Sequence, residues 1–375
     1  MSSERQFRHH MIKEIFEQPR GLRDTIAPRV SLADGLVRLE DVHLSVDDLR
    51  GLHRINIVAS GTSRHAGMAG QFMIQELSGV PVDVDYASEF EYRNPLTGPG
   101  ELAILITQSG ETADTTGALR EAKAKGARTI AISNVIGSTI AREADGVIYT
   151  LAGPEISIAS TKAFTAQMAV LYLFALYLAH ARGCLNQEQI RQHIRELLDL
   201  PAQTERVLEG AKQCEALANK HHKIEDFLFL GRAVHYPVAM DGALKLKEVS
   251  YVHAEGYPTG ETKHGPNALI DENLPVVTLA TCDRSDPGSL LRYGKTVANI
   301  RGFKKQGGKI IAIASEGDGE VSGLADHTIF VPAAPELLAP ILEIVPLQLF
   351  AYYMAVHRGL DVDRPRNLTK SVTVE

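Results

Sequence analysis

Short runs of consecutive apolar residues alternate along the chain with longer stretches in which apolar residues recur at helical spacing. Such runs are typical of strands buried on both faces of a parallel sheet. The helical stretches between them are long enough to cover both faces. This alternation predicts a doubly wound α/β fold. The runs are 55–59, 102–106, 129–132, 227–230, 276–280 and 310–314.

Two further stretches, 161–181 and 340–358, are long and mostly apolar. The longest uninterrupted apolar segment, 168–178, is shorter than the about 20 residues that a membrane span needs. We therefore interpret both stretches as core helices and expect no membrane partner. The polar stretch 186–220 carries apolar residues at helical spacing, which predicts a helical connection.

The two halves of the chain repeat each other. KGARTIAI from Lys125 resembles QGGKIIAI from Gln306, and ADGVIYTLAGPE from Ala144 resembles ADHTIFVPAAPE from Ala325. Both pairs are separated by 181 residues, and a shared separation in two segments indicates a duplicated domain. The predicted organisation is a helical arm at 1–36, a first domain at 37–182, a helical linker at 183–222, a second domain at 223–360 and a tail at 361–375.

Composition agrees with two globular domains. A chain of 375 residues is too long for one ordinary core, and its net charge of −7 argues against a general nucleic-acid surface. The three cysteines have no CxxC spacing, which argues against a disulfide framework or a zinc site. We expect no metal and no cofactor. The N-terminal segment has no apolar run of the secretory kind, so we expect a cytoplasmic protein.

Candidate chemistry lies in the loops after the first two apolar runs, because ligands of parallel sheets bind at the carboxyl ends of strands. The loops read Ser-Gly-Thr-Ser at 60–63 and Thr-Gln-Ser-Gly-Glu-Thr at 107–112. Hydroxyls and free N–H groups at a helix start favour a phosphate. The same hydroxyls are also ordinary helix caps, so both interpretations stay open at this point.

The second half supplies titratable groups instead. In a helix predicted at 243–253, Lys245 and Glu248 lie at i, i+3 on one face as titratable groups, which is equally the spacing of a surface ion pair. His264 lies in a loop, where a histidine is either a general acid–base group or ordinary surface. Lys370 lies in a polar tail that by default is solvated.

The blocks SGTSRHAG, TQSGETADT, GPEISIASTKAFTAQ, GALKLKEVSYVHAE, GETKHGP and DVDRPRNLTKSVTVE occur in this order along the chain. Together they resemble the isomerase half of glucosamine-6-phosphate synthases, which consists of two sugar isomerase (SIS) domains. The resemblance covers almost the whole chain. It implies two duplicated SIS domains and a phosphosugar substrate.

The resemblance also implies roles for individual residues. Glu248 corresponds to the base that moves a proton between C1 and C2, and Lys245 to a residue near those carbons. His264 corresponds to the residue that assists ring opening, which a neighbouring subunit lends, so a homodimer is expected. Lys370 corresponds to the lysine that forms a Schiff base with the ketose. The phosphate site would be Ser63, Thr107, Gln108, Ser109 and Thr112, and the sugar pocket would include Ile158, Arg366 and Thr369.

Four positions depart from the family pattern, and two of them, Asp241 and Thr369, put pocket shape and substrate choice in question. Thr107 stands where Ser is usual, Ser60 where many members have Cys, Asp241 where Glu is usual, and Thr369 where Ala is usual.

The reaction direction is predicted from the ammonia source. Synthases of the family use an N-terminal cysteine to release ammonia from glutamine, whereas here residue 2 is Ser and the first cysteine is Cys184. We therefore predict deamination of glucosamine-6-phosphate to fructose-6-phosphate. The alternatives are an excised isomerase domain of a synthase, a deglycase or isomerase for another phosphosugar, and a non-catalytic sugar-phosphate sensor.

Overall fold

A computed structural model describes residues 7–371. Residues 1–6 of the predicted arm and 372–375 of the predicted tail lie outside the described residues. The strands are β1 (Val30–Ser31), β2 (Leu36–Val37), β3 (Arg54–Ala59), β4 (Val82–Tyr86), β5 (Glu101–Thr107), β6 (Arg128–Ser133), β7 (Gly146–Tyr149), β8 (Asp226–Gly231), β9 (His253–Pro258), β10 (Pro275–Ala280), β11 (Lys309–Ser315) and β12 (His327–Val331).

The helices follow the strands in alternation, as the hydrophobic pattern predicts. They are α1 (His10–Phe16), α2 (Gln18–Ile26), α3 (Val46–Gly51), α4 (Gly61–Ser78), α5 (Ala87–Phe90), α6 (Ala113–Ala124), α7 (Thr139–Glu143), α8 (Lys162–Ala181), α9 (Gln187–Glu209), α10 (Ala211–His221), α11 (Tyr236–Ser250), α12 (Pro287–Lys305), α13 (Gly319–Leu324) and α14 (Ala339–His357). Short 3-10 turns, among them Thr259–His264, connect some of them.

Two five-stranded sheets have the same strand order. One runs β4-β3-β5-β6-β7 and the other β9-β8-β10-β11-β12, and every pairing in both is parallel. Each strand of the first sheet therefore has a counterpart in the second. The predicted fold class, two duplicated parallel-sheet α/β domains, is confirmed.

The described chain divides into two compact units, each assembled from separate segments. The repeat-1 unit contains the sheet of β3 to β7, and the repeat-2 unit contains the sheet of β8 to β12. The domain limits given by the sequence remain predictions. The repeat-1 unit comprises Arg20–Glu155, Lys162–Pro201 and 369–371, and the repeat-2 unit comprises 7–19, Ile156–Thr161 and Ala202–Leu368.

Two apolar helices belong to the cores. By length and composition alone α8 and α14 could cross a membrane, but 89% of each apolar window is buried inside the protein. Burial of this extent is expected of core helices, as the sequence predicted. In the repeat-1 unit α4 packs closely on α8, since a Cβ at Gly70 would lie 2.8 Å from Leu171 Cδ1.

One predicted helix ends earlier than expected. The stretch 243–253 was predicted as helical, but α11 ends at Ser250 and Tyr251 takes a left-handed conformation with φ 58°. The chain then enters β9 at His253, which pairs with Asp226 in parallel register. The β-branched and aromatic residues just before this point, Val249 and Tyr251, are poor helix formers and fit the stop.

The packing of β9 against α11 leaves no room for a side chain at Gly256. A Cβ there would lie 2.8 Å from the backbone nitrogen of Met240, closer than side-chain contacts allow. We expect Gly256→Ala to destabilise the protein by about 1–3 kcal/mol through overpacking. The thermal unfolding midpoint, followed by far-UV circular dichroism, should fall by several degrees.

Gly302→Ala is the matched control. Gly302 lies inside α12, and a Cβ there would meet no atom within 4 Å. Its midpoint should stay level or rise, because alanine loses less backbone entropy on folding than glycine. Equal midpoints for the two variants would contradict the close contact at Gly256.

Candidate active site

The connection from β3 to α4 places hydroxyls at the start of a helix. Ser60 is the N-cap residue of α4, and its side chain makes no capping hydrogen bond within the described chain. One turn into the helix, the Ser63 hydroxyl accepts a hydrogen bond from Gln167 Nε2 at 3.0 Å. The N–H groups at this helix start are therefore not taken up by the cap side chain. Such an end favours an anion.

The connection from β5 to α6 carries the second hydroxyl group. Ala59 of β3 pairs with Ile106 of β5, so both connections leave the sheet at the same edge. The hydroxyls of Thr107 and Thr112 lie 3.1 Å apart. Thr112 is the N-cap of α6, and its side chain makes no capping hydrogen bond with the described residues. Two uncapped helix starts thus meet one edge of the repeat-1 sheet.

This second loop is rigidly anchored at Glu111. The Glu111 carboxylate accepts hydrogen bonds from the Thr139 hydroxyl at 2.7 Å and from the Thr139 backbone N–H at 2.9 Å. These two bonds lower the pKa of Glu111, so its carboxylate is ionised at neutral pH. The Ser109 hydroxyl accepts from the Glu111 N–H at 3.2 Å. Gln108 accepts through its backbone carbonyl from the Asn134 N–H at 3.2 Å.

The repeat-1 unit also contains the lysine of the tail. Lys370 Nζ donates to Glu155 Oε2 at 2.8 Å, and the Glu155 side chain is 0% exposed. The other Glu155 oxygen accepts from the Ala163 backbone N–H at 3.1 Å. Lys370 is therefore bound by a buried acid rather than solvated. Its neighbour Thr369 is exposed.

The repeat-2 unit contains the pair predicted on α11. Lys245 Nζ donates to Glu248 Oε2 at 2.5 Å. The Lys245 side chain is 0% exposed whereas that of Glu248 is 21% exposed. A buried ammonium requires an opposite charge, so Lys245 fixes the orientation of the Glu248 carboxylate. The partly exposed carboxylate remains accessible for proton transfer. Asp241, one turn earlier on the helix, is completely buried.

The first part of the tail lies on the end of the same helix. The Arg366 N–H donates to the Tyr251 hydroxyl at 2.8 Å, and the Arg366 guanidinium lies 4.2 Å from the centre of the Tyr251 ring. The Ile158 N–H donates to the Asp363 carbonyl at 3.3 Å. Arg366 and Ile158, two of the three residues predicted for the sugar pocket, thus form hydrogen bonds within the repeat-2 unit near this part of the tail.

His264 stands apart from the other predicted residues. It ends the 3-10 turn Thr259–His264 and its side chain is exposed. The side chain of His264 makes no hydrogen bond or ion pair with any other residue between 7 and 371. An exposed histidine is available to a second molecule or to a bound ligand.

Sequence reasoning missed two residues that orient the predicted ones. Glu155 binds Lys370 and Gln167 binds the Ser63 hydroxyl. Their counterparts 181 residues later are Glu336 and Gln348, so the repeat was the signal that could have identified them. Among the described residues, no group of three or more His, Cys, Asp or Glu side chains could hold a metal ion.

Comparison with known proteins assigns the family. The SIS domain family matches residues 48–177 and 222–358, which together make up more than half of the chain. The chain belongs to the SIS domain family. Each of the two matched segments of this SIS chain contains a different one of the two parallel sheets.

The SIS chain is also similar to individual proteins. It is 49% identical over 369 residues to the isomerizing glutamine–fructose-6-phosphate aminotransferase of Chlorobaculum tepidum, and 50% identical over 369 residues to that of Thermus thermophilus. Each match covers 98% of this chain but only 59% of the relative. The chain thus spans about three fifths of the length of these relatives.

A solved structure resembles the SIS chain over nearly its full length. The C-terminal domain of glucosamine-fructose-6-phosphate aminotransferase from Francisella tularensis superposes with a TM-score of 0.89 at 37% identity. The match covers 97% of this chain and 100% of that domain. The predicted resemblance to the isomerase half of these enzymes is confirmed.

The Glu155 contact predicts that the tail can be loosened by one substitution. Glu155→Gln keeps an acceptor for the Ala163 N–H but removes the charge that binds Lys370. Because Lys370 is 24% exposed, we expect a loss of about 1–2 kcal/mol rather than the full value of a buried pair. Trypsin should then cleave after Lys370 roughly ten times faster, as mass spectrometry would record.

Glu143→Gln is the control for this experiment. It removes the same charge from an exposed pair, in which Arg120 donates to Glu143 at 2.7 and 2.8 Å. Its cleavage rate should equal that of the unmodified protein. A Glu155→Gln rate that also equals it would show that Glu155 does not hold the tail.

Proposed function

We propose that this chain is a hexose 6-phosphate aldose–ketose isomerase that interconverts glucosamine-6-phosphate and water with fructose-6-phosphate and ammonia. The observation that carries the proposal is the Lys245–Glu248 pair on α11. It presents a fixed, partly exposed carboxylate in a chain similar to aminotransferases of fructose-6-phosphate.

The phosphate would bind at the two uncapped helix starts of the repeat-1 unit. A phosphate dianion can accept from hydroxyls and from free N–H groups, and the helix dipole favours its charge. The groups proposed to contact it are Ser63, Thr107, Gln108, Ser109 and Thr112. Glu111 would keep their loop in place through its two bonds to Thr139.

Proton transfer is assigned to the repeat-2 unit. After the sugar ring has opened, with His264 as the acid–base group, Glu248 would take the proton from C2 and return it to C1. The aldehyde at C1 becomes a hydroxymethyl group and the amine at C2 becomes an imine. Lys245 would keep Glu248 oriented during both steps. Ile158, Arg366 and Thr369 would line the sugar pocket.

Lys370 would complete the reaction by attacking the imine at C2, after its ammonium has given a proton to the Glu155 carboxylate that it contacts. Its amine displaces ammonia and forms a Schiff base with the ketose, and water then releases fructose-6-phosphate and the free lysine. We propose deamination as the direction for the isolated chain, because free ammonia is almost entirely protonated at neutral pH and is then no nucleophile. Cytoplasmic location remains an expectation.

The proposal predicts ammonia release from glucosamine-6-phosphate and a trappable lysine adduct. Borohydride added with fructose-6-phosphate should reduce the Schiff base and attach the sugar to Lys370, as peptide mass spectrometry would show. Lys370→Arg keeps a cation for Glu155 but forms no Schiff base. We expect this variant to lose at least about 100-fold in turnover, the contribution typical of a reacting side chain, and to form no adduct at residue 370.

Several outcomes would contradict this assignment. Full turnover by Lys370→Arg would exclude the Schiff base. Faster turnover of another phosphosugar in a substrate panel would favour the deglycase or isomerase alternative, for which Asp241 and Thr369 are the motivating differences. Binding of glucosamine-6-phosphate without turnover, with and without added ammonia, would favour a sensor.

We propose further that the protein acts as a homodimer in which His264 serves the neighbouring subunit. The exposure of the His264 side chain and its lack of partners among residues 7–371 support this arrangement. Glu248→Gln and His264→Asn should each be nearly inactive alone. Mixed, unfolded and refolded together in equal amounts, they should recover about a quarter of the unmodified activity, because half of the dimers then contain one intact site.

The control is each variant refolded alone at the same total concentration. Sedimentation should give a dimer in all samples. An active monomer, or a mixture no more active than its components, would contradict the shared site.

A further inference from the structure

The strand end that binds phosphate in our proposal has a counterpart in the second repeat. The equal strand orders match β5 with β10 and α6 with α12. The connection 108–112 in the repeat-1 unit therefore corresponds to 281–286 in the repeat-2 unit. A threonine hydroxyl lies at the strand end in both units, since Thr107 is the last residue of β5 and Thr281 follows β10 directly. Their remaining chemistry differs.

The helix start is free in one unit and taken in the other. Thr112 makes no side-chain capping bond at the start of α6 within residues 7–371. Asp286, the N-cap of α12, accepts from the Gly288 N–H at 2.9 Å and from the Ser289 N–H at 3.0 Å. A carboxylate of the protein thus binds the N–H groups that an external anion would use.

A second carboxylate, that of Glu336, accepts hydrogen bonds from side chains near the start of α12. Glu336 accepts from the Ser289 hydroxyl at 2.5 Å, from Arg292 Nη2 at 2.9 Å and from Arg292 Nε. It also lies 3.0 Å from His235 Nε2. The Glu336 side chain is 15% exposed and that of Arg292 is 7% exposed. A hydroxyl, a guanidinium and an imidazole converging on one anion resemble the donor set of an oxyanion site.

A third carboxylate, that of Glu343, contacts the threonine hydroxyl and the other nitrogen of the His235 ring. Glu343 accepts from the Thr281 hydroxyl at 2.5 Å and lies 2.8 Å from His235 Nδ1, and the side chains of Glu343 and His235 are both 0% exposed. His235 therefore has an acid at each ring nitrogen, and only the protonated ring can donate to both. The threonine hydroxyl at this strand end is already used.

The protonation states agree with this geometry. Burial alone would lower the pKa of His235, but the charge of Glu343 and the hydrogen bonds to both acids outweigh it and raise the pKa. Burial alone would raise the pKa of Glu336, but the hydrogen bond and charge of His235 and those of Arg292 hold it well below its usual range. Glu336 is thus a permanent anion at neutral pH.

We propose that the carboxylates of Asp286, Glu336 and Glu343 occupy an oxyanion site in the repeat-2 unit and close it to phosphate. The duplicated fold would then bind one phosphosugar in each chain, at the repeat-1 loops. This last consequence rests on the proposed function. The occupied site itself rests on the contacts of the repeat-2 unit alone.

Two guanidinium groups at this site have N–H donors that the three carboxylates do not bind. Arg292 Nη1 and Arg232 Nε are buried and have no hydrogen-bond partner among residues 7–371. The charge of Arg292 also lowers the pKa of Arg232, although less than burial does. Removing Glu336 would leave this group of cations without its main counter-charge. A tetrahedral oxyanion is the ligand that such a cluster would take.

The test counts bound phosphate by equilibrium dialysis with radiolabelled inorganic phosphate at constant ionic strength. The reference value is the number of phosphates that the unmodified protein binds per chain. We expect Glu336→Ala to bind one more, and Glu336→Ala combined with Arg292→Met to return to the original number. Glu143→Ala, which removes the same charge from an exposed pair with Arg120, should not change the number.

The difference of one site is independent of the proposed function, because any phosphate bound in the repeat-1 unit is counted in all variants. If Glu336→Ala does not fold, Glu336→Gln replaces it, since the amide keeps the size of the side chain and removes the charge. An unchanged number in the folded variant would overturn the proposal. An extra site that survives Arg292→Met would also overturn it, because Arg292 is then not the binding group.

Discussion

A charge removed from water needs an opposite charge beside it, and this requirement organises both units. Lys245, Glu155, His235 and Glu343 all have side chains that are 0% exposed, and each is paired with a group of opposite charge. An unpaired buried ion would cost several kcal/mol. The pairs therefore restrict where the carboxylate of α11, the tail lysine and the strand ends of the second sheet can lie.

The two repeats meet this requirement differently on the same sheet. At the first sheet the strand ends carry neutral hydroxyls, which leave the helix N–H groups and the helix dipole available to a ligand that brings its own negative charge. At the second sheet Asp286 and Glu336 bring that charge as part of the chain. One duplicated fold can thus supply a binding edge in one copy and a closed, stabilised edge in the other.

The sequence predicted the parts of the fold whose residues are buried on both faces. Strands β3, β5 and β10 are mostly apolar and are buried along almost their whole length, so their pattern identifies them without further information. The edge strands β4, β7, β9 and β12 were not predicted, because the prediction used continuous apolar runs, whereas β4 (VDVDY) alternates polar and apolar residues. Strand β9 contains a glycine and a proline, which are depleted in strands, so its strand structure depends on pairing with β8, and the local sequence does not identify it.

For the candidate site, the sequence was informative where partners are close along the chain. Lys245 and Glu248 are three residues apart, and helix geometry alone brings them together. Lys370 and Glu155 are 215 residues apart, so no local rule could pair them. The 181-residue repeat places a glutamate at both 155 and 336, which indicates a position that favours an acid in each copy. It does not indicate the partner, since one glutamate binds a lysine of the tail and the other an arginine and a histidine of its own unit. Duplication therefore preserved the place of the buried charge, and divergence changed the cation that neutralises it.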